Sequence, residues 1–221
     1  MFSCILASRK GGAGKTNLVC HLSVEAERAG YGPVAVIDLD PMGGLSGWWD
    51  ARQAPSPALV RVETSLADTL EALRYGGYRT VFVDTPPSIG PEVSEAIGMA
   101  DLVLVPCQPS PDDLRAVGRT VDAVALAGKP MIFVVNRVKQ RARLTAEVAV
   151  ALSQHGTVAP VFIVDRTDYA AAKSDGLTAP ELEPAGKAAG EMRDLWAYVA
   201  KRAGIGIGIE SAVKEKKRGK A

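Results

Sequence analysis

The chain has 221 residues, of which 47% are hydrophobic, and it carries 26 Lys and Arg against 25 Asp and Glu. This length predicts one domain, over residues 1–202, with a full hydrophobic core. The apolar runs fall short of the ~20 residues that a membrane span needs, and no signal-peptide pattern opens the chain, so we expect a cytoplasmic protein rather than a membrane or secreted one.

Short apolar runs alternate with longer helical stretches along the chain. The predicted strands are Phe2–Ala7, Val34–Asp38, Thr80–Asp84, Leu102–Val105, Met131–Val135 and Val158–Val164. The predicted helices are Thr16–Ala29, Ser65–Arg74, Glu92–Met99, Asp112–Ala127, Leu144–Gln154 and Gly186–Arg202. Continuous apolar strands are expected when helices cover both faces of a sheet. The pattern predicts a doubly wound α/β fold with a mainly parallel sheet, whose ligands lie at the carboxyl ends of the strands.

Two smaller segments have distinct patterns. In the last predicted helix, Met192, Leu195, Trp196 and Val199 form a helical stripe, which predicts core packing rather than a partner-binding face. Segment Gln53–Ala58 contains two prolines and is predicted to be a loop.

The cysteines and histidines do not form a metal-binding pattern. Cys4, Cys20 and Cys107 are widely spaced and odd in number, which fits a reducing compartment with buried thiols. His21 and His155 are isolated, so we expect polar side chains with ordinary partners rather than a zinc site or a catalytic triad.

Residues 10–16 read Lys-Gly-Gly-Ala-Gly-Lys-Thr, directly between the first apolar run and a helical stretch. In this context the glycines let backbone N–H groups surround phosphate oxygens, and the helix N-terminus adds positive charge. We expect Lys15 to reach the β- and γ-phosphates and the Thr16 hydroxyl to bind Mg²⁺. Lys10 is surplus to this arrangement. The predicted phosphate-loop residues are Lys10, Gly11, Gly12, Ala13, Gly14, Lys15, Thr16 and Asn17.

Carboxylates follow two of the predicted strands. Asp38 and Asp40 lie two apart at the end of the second strand, before Pro41. One of them could support Mg²⁺ through a water while the other orients an attacking water, and a strand-to-loop turn is the alternative. Asp84 ends the apolar run Val81–Val83 like a Walker B carboxylate, and we expect it to hold the Mg²⁺ shell through water.

Two more motifs follow the later strands. The proline-rich turn Pro109–Asp113 is stiff and placed to shape one wall of a nucleotide or dimer cleft. Asn136 follows the fifth predicted strand, where its amide can either hydrogen-bond an adenine edge or cap the next turn.

In order and spacing, these motifs resemble the ParA/MinD family of deviant-Walker ATPases. The closest resemblance is to the small ParA proteins without an N-terminal helix-turn-helix domain, such as ParF. It extends to about Arg202 and includes Asp165-Arg166, Tyr169, Gly176 and Leu195-Trp196.

The resemblance implies a slow, partner-stimulated ATPase that uses ATP and Mg²⁺ and forms an ATP-sandwich homodimer. In that family the extra lysine, here Lys10, reaches the phosphates bound by the partner subunit. Two facing nucleotides need added positive charge, which one lysine from each subunit supplies. The implied catalytic residues are Lys10, Lys15 and Asp40, and the implied Mg²⁺ residues are Thr16, Asp38 and Asp84.

The chain departs from the family pattern at two positions. Asn17 stands where the family usually has a Thr or Ser that contacts the α-phosphate, and Met42 stands where a Gln is common. Neither change removes a catalytic group, so we expect slow hydrolysis rather than none.

The end of the chain favours DNA over membrane as the partner. Residues 201–221 carry seven Lys and Arg against two Glu, and residues 203–221, which we expect to be flexible, begin as an alternation of Gly and Ile. Glycine costs ~1 kcal/mol per helix position, and period-two isoleucines do not share one helical face. The basic segment lacks an apolar anchor, which favours phosphate contacts over lipid insertion. We therefore expect non-specific DNA binding and a nucleoid-associated protein.

The candidate DNA contacts are Lys139, Arg141, Arg143, Arg166, Lys173, Lys201, Arg202, Lys214, Lys216, Lys217 and Arg218. The alternative for each of them is an ordinary solvated charge. A ParB-like or equivalent adaptor is expected to stimulate hydrolysis, and the cargo can be a plasmid, a chromosome region or a protein assembly.

Two other functions stay open. A MinD-like ATPase would cycle on membranes, and a metabolic or electron-transfer relative would share the same fold. An iron–sulfur version requires paired cysteines near a dimer axis, to which Cys107 alone is a poor fit.

Overall fold

The computed structural model describes residues 1–139 and 143–206, with the side chains of residues 143 and 144 left out. Its strands are β1 (Phe2–Leu6), β2 (Val34–Asp38), β3 (Ala58–Val60), β4 (Thr80–Asp84), β5 (Leu102–Cys107), β6 (Met131–Val135) and β7 (Thr157–Val158). Within the described residues they form one sheet in the order β3-β2-β4-β1-β5-β6-β7, and every pair of neighbours is parallel. The predicted doubly wound parallel sheet is confirmed.

Helices cover both faces of this sheet. They are α1 (Lys15–Ala26), α2 (Gly44–Ala51), α3 (Leu66–Tyr75), α4 (Pro91–Gly98), α5 (Pro111–Leu126), α6 (Arg143–Ser153), α7 (Thr167–Ser174), α8 (Ala179–Leu182) and α9 (Lys187–Arg202), and a π-helical turn over Glu27–Tyr31 extends α1. Helix α5 begins where Pro111 follows Ser110, whose hydroxyl accepts the N–H of Asp113 at 3.2 Å. A serine N-cap followed by proline at the first helical position is a strong start signal.

Alternate strand residues pack on opposite faces of the sheet. In β1, Cys4 and Leu6 pack with α1 and α9, whereas Ile5 packs with α3, α4, α5 and α6. Because both faces of the sheet are buried, polar and apolar residues do not alternate along the strands. The predicted stripe of α9 is buried on the first of these faces, which confirms it as core. The three cysteines are buried free thiols.

The predicted elements differ from the structure at several points. The last strand is predicted over Val158–Val164, but β7 ends at Val158. Beyond it, Ala159 and Ile163 each donate one backbone hydrogen bond to β6, and Val164 forms an isolated bridge with Val138. Pro160 lies between Ala159 and Ile163 and lacks the N–H that a ladder requires. Strand β3 begins inside the segment predicted to be a loop, and the sequence analysis did not predict α2, α7 and α8.

The parallel arrangement brings the functional motifs to one edge of the sheet. Strand β1 leads into the glycine-rich loop, and Asp38 at the end of β2 is paired in register with Asp84 at the end of β4. Strands β5 and β6 end next to Gln108 and Asn136. No helix of the described residues is long and apolar enough to cross a membrane.

Candidate functional site

The glycine-rich loop is held in shape by two residues with left-handed backbone. Gly12 has φ +75° and Gly14 has φ +99°, a region that favours glycine. A Cβ atom at Gly14 would lie 2.1 Å from Nδ2 of Asn136, so a side chain cannot fit there unless the Asn136 side chain moves. Helix α1 begins directly after Gly14, which points its free N–H groups toward the loop.

Lys15 is the buried lysine of the loop. Its side chain is almost completely enclosed, and its Nζ donates to the carbonyl of Ser8 at 3.2 Å. Burial lowers the pKa of Lys15, and the charges of Asp84 and Asp40 oppose this effect. A buried ammonium with few partners is well suited to receive an anion.

Thr16 and Asp84, the residues predicted to hold Mg²⁺, lie in direct contact. The Thr16 hydroxyl donates to Oδ2 of Asp84 at 2.5 Å, while the buried Oδ1 has no hydrogen-bond partner among the described residues. Burial raises the pKa of Asp84 to about 6, and the Thr16 hydrogen bond opposes this rise. A hydroxyl beside a carboxylate with one unsatisfied oxygen is a donor set that Mg²⁺ and its waters fit.

The two carboxylates after β2 have different surroundings. Asp38 accepts hydrogen bonds from the backbone N–H and hydroxyl of Ser46, at 2.8 and 3.0 Å, and from the N–H of Asp40. It therefore anchors α2 to the sheet. Asp40 accepts only the N–H of Met42 among the described residues, and it lines the cavity above the loop.

Asn136 uses its amide within the chain. Its Oδ1 accepts the N–H of Arg137 at 2.9 Å, which is the capping alternative of the sequence prediction. Its Nδ2 donates to the carbonyl of Ala13 at 2.8 Å, so the side chain ties β6 to the glycine-rich loop. Asn136 is only 2% exposed, and contact with an adenine edge stays a prediction.

Lys10 turns away from the loop that carries it. Its ammonium pairs with the buried carboxylate of Asp113 on α5, and this hydrogen bond raises the pKa of Lys10. Asp113 also accepts from the Ser110 hydroxyl at 2.6 Å and from the N–H of Gln108 at 3.1 Å. The proline-rich turn thus forms the wall that holds Lys10.

Two adjoining cavities meet at the loop. The phosphate cavity, of about 240 Å³, is lined by Gly11, Gly12, Gly14, Lys15, Thr16, Asn17, Asp40, Pro87 and Lys173. The adjoining cavity, of about 230 Å³, continues from the loop to Asn136, Arg137, Asp165, Arg166, Tyr169 and Lys173. Lys10 does not line either of them. Their combined shape fits an extended ligand with an anionic end.

The candidate DNA contacts separate into three groups. Arg166 is bound by Glu191 through two hydrogen bonds of 2.9 and 2.6 Å, and Lys173 lines the cavities, so neither is a simple surface charge. Lys139, Lys201 and Arg202 are exposed. Arg141, Lys214, Lys216, Lys217 and Arg218 lie outside the described residues, as does the side chain of Arg143.

The sequence prediction missed the place of Lys173 because it missed α7. The signals were present: Thr167 and Asp168 are suited to the start of a helix, and Gly176 follows its end. Tyr169 and Lys173 are spaced four residues apart on this helix and therefore share one face. Both line the adjoining cavity.

Comparison with known proteins finds relatives of this chain. Maintenance of carboxysome distribution protein A from Halothiobacillus neapolitanus is 28% identical over 201 residues, which cover 86% of this chain and 92% of that protein. Chromosome-partitioning ATPase Soj from Thermus thermophilus is 31% identical over 133 residues, or 47% of this chain and 53% of Soj.

A solved structure shows the same fold. The septum site-determining protein MinD from Pyrococcus horikoshii, complexed with Mg-ADP, superposes with a TM-score of 0.74 at 19% identity, covering 92% of this chain and 98% of that one. The family model for the CobQ/CobB/MinD/ParA nucleotide binding domain matches residues 4–179. ATP and Mg²⁺ are cofactors of this family. Since the match spans most of the chain, the protein belongs to the CobQ/CobB/MinD/ParA nucleotide-binding family, as its motifs predict.

Proposed function

We propose that this protein is a ParA-type positioning ATPase. It binds ATP with Mg²⁺, forms an ATP-sandwich homodimer, binds DNA non-specifically, and hydrolyses ATP slowly until a partner stimulates it. The observation that best supports this proposal is the separation of the two loop lysines. Lys15 lies in the phosphate cavity, whereas Lys10 lies outside it on Asp113.

The residues around the phosphate cavity suit ATP hydrolysis. Thr16 and Asp84 would hold Mg²⁺ and its waters, and the bound ion would neutralise charge on the phosphates. Lys15 and the loop N–H groups would bind phosphate oxygens. Asp40 faces the same cavity and would orient the attacking water, while Asp38 would fix α2 and the loop that carries Asp40.

The place of Lys10 supports a two-subunit site. In its own subunit Lys10 is bound by Asp113, whose carboxylate is buried while the ammonium is one-third exposed. An exposed ammonium can exchange its partner when a stronger anion approaches. A second subunit's nucleotide would be such an anion, and the exchange would make dimerisation depend on ATP.

The surface proposed to contact DNA contains exposed cations. Lys139, Lys201 and Arg202 are exposed cations, and the basic tail would add to them. The relatives' names describe maintenance of carboxysome distribution and chromosome partitioning. We propose by analogy that this chain positions a plasmid, a chromosome region or a protein assembly through a ParB-like or equivalent adaptor on the nucleoid.

A combined binding assay tests the proposal. Nucleotide affinity and retention of non-specific DNA are measured with ATP, ADP and no nucleotide for the wild type, Lys15→Ala, Lys10→Ala and the exposed control Lys187→Ala. We expect Lys15→Ala to weaken ATP binding about 10- to 100-fold, since it removes a charge-assisted contact. Lys10→Ala should keep monomeric ATP binding but lose ATP-dependent dimerisation and DNA retention.

Two results would contradict the proposal. One is DNA retention that is the same with ATP, with ADP and without nucleotide, and that is unchanged in Lys15→Ala and Lys10→Ala. The other is ATP-dependent co-sedimentation with anionic lipid vesicles in the absence of DNA binding, which would identify the membrane-cycling alternative.

A further inference from the structure

Lys173 is a cation at the centre of the cleft that no described residue neutralises. It lies in the last turn of α7 and is half-buried. It forms no ion pair with any residue in the described ranges, although Asp40 lines the same cavity. A half-buried ammonium without a counter-ion loses hydration and gains nothing in return unless an anion binds.

Helix α7 holds Lys173 in a fixed position. One turn earlier, the Tyr169 hydroxyl donates to Glu191 of α9 at 2.7 Å, and the Tyr169 ring meets His21 of α1 edge-on at 5.0 Å. Burial lowers the pKa of His21 and raises that of Cys20, both on α1, and the positive charge of Lys173 acts on both groups in the lowering direction. These contacts place the ammonium beside the helix that follows the phosphate loop.

Lys173 also lies where the two cavities join. Four residues line both cavities, namely Gly12, Gly14, Asn17 and Lys173, and Lys173 alone among them is charged. On one side of the junction lie Lys15 and Thr16, which suit the terminal phosphates. On the other side lie Asn136, Arg137 and Asp165, whose polar groups suit a nucleoside. In a nucleotide, the α-phosphate is the group that connects these two parts.

We propose that Lys173 binds the α-phosphate of the nucleotide, as the second lysine that the same subunit contributes alongside Lys15. This inference rests on the proposed function, because it takes the ligand to be a nucleotide. It also gives Lys173 a different role from the DNA contact that its charge first indicated. Lys173 then contributes equally to the affinity for ATP and for ADP, because both contain the α-phosphate.

Calorimetric titration of ATP and ADP with Mg²⁺ tests this role. The proteins are the wild type, Lys173→Met, which keeps the apolar stem, Lys173→Arg, which keeps the charge, and the control Lys187→Met. We expect Lys173→Met to weaken both nucleotides by about the same factor, 10- to 100-fold, with recovery in Lys173→Arg. Unchanged affinities, or a loss for ATP alone, would overturn the assignment to the α-phosphate.

Phosphorothioate nucleotides identify the phosphate more directly. The two diastereomers of ATPαS place sulfur at one or the other α-oxygen, and sulfur accepts a hydrogen bond from an ammonium poorly. The wild type should therefore prefer one diastereomer, and this preference should shrink in Lys173→Met. A preference that is the same in both proteins would exclude contact with the α-oxygens, whatever the overall loss of affinity.

The design separates this inference from the proposed function. If the wild type binds neither ATP nor ADP, the proposed function fails. If the wild type binds both and Lys173→Met binds them equally well, only the role of Lys173 fails. DNA retention of Lys173→Met at saturating ATP completes the test. A loss of DNA binding with unchanged nucleotide affinity would identify Lys173 as a DNA contact and overturn the inference.

Discussion

The two halves of the glycine-rich loop differ in how firmly the protein holds them. The inner half, Gly14–Thr16, is enclosed: Asn136 packs against Gly14, Lys15 is buried on Ser8, and Thr16 bonds to Asp84. The outer half, Lys10–Gly12, is largely exposed, and its main side-chain contact is the pair between Lys10 and Asp113.

A single loop can therefore contain a site that is formed before any ligand binds and an ion pair that a ligand can replace. The inner half depends on backbone shape and burial, which are present before any ligand arrives. The outer half is held by the ion pair of Lys10 with Asp113, which another anion can replace, and by a hydrogen bond of 2.7 Å from the Gln108 amide to the Gly12 carbonyl. Substitutions in the inner half should therefore affect folding and binding together, whereas those in the outer half should affect assembly.

The largest expected effect comes from adding one methyl group to each half. Gly14→Ala places a Cβ 2.1 Å from Asn136 at φ +99°, whereas Gly12→Ala at φ +75° meets nothing within 4 Å. We expect Gly14→Ala to lower the free energy of unfolding by roughly 3 kcal/mol through steric overlap and backbone strain, and Gly12→Ala by about 1 kcal/mol through strain alone. Urea unfolding measures both values, and equal losses would show that the two halves are held alike.

A smaller effect on the free energy of unfolding is expected from a change of pH. The group responsible is His21, which lies on α1, the helix that begins with Lys15 and Thr16 of the inner half. Burial, aided by the charge of Lys173, lowers the pKa of His21 to about 4, against the opposing Asn17 carbonyl and Glu181. Between pH 6.5 and 4 the unfolded chain therefore binds a proton at His21 that the folded chain does not. Stability is fully present near pH 7.5 and falls with pH, by roughly 1 kcal/mol at pH 5.5.

The variant His21→Gln isolates this contribution from that of the carboxylates. The loss of unfolding free energy between pH 7.5 and pH 5.5 should be smaller in His21→Gln than in the wild type, and unchanged in His155→Gln, whose side chain is exposed. An identical pH dependence in all three proteins would show that His21 is readily protonated in the fold.

The smallest expected effect concerns the outer half. Asp113→Asn removes the charge that holds Lys10 but keeps an oxygen that can accept the N–H of Gln108, whereas Asp112→Asn removes an exposed charge next to it. We expect Asp113→Asn to lower the ATP concentration at half-maximal dimerisation about threefold, since partly exposed pairs contribute at most ~1 kcal/mol. Sedimentation velocity across an ATP series measures the shift, and a higher ATP requirement would mean that Asp113 assists the dimer.

Local patterns were enough to predict five of the seven strands and the glycine-rich loop. The apolar runs of β1, β2, β4, β5 and β6 are continuous because both faces are buried, and the loop residues are adjacent in sequence. The pairing of Lys10 with Asp113 joins residues 103 positions apart, so no local pattern could predict it. Lys173 reaches the cleft only because α7 packs on α1 and α9, a tertiary contact that charge alone does not indicate.

The close approach of Gly14 and Asn136 has a consequence for sequence variation. The two positions are 122 residues apart, yet the volume available to one depends on the size of the other. A relative with alanine at the first position should carry a smaller residue at the second, since both side chains cannot occupy the same space. We expect these two positions to covary, and Asn136→Ser to restore part of the stability that Gly14→Ala removes.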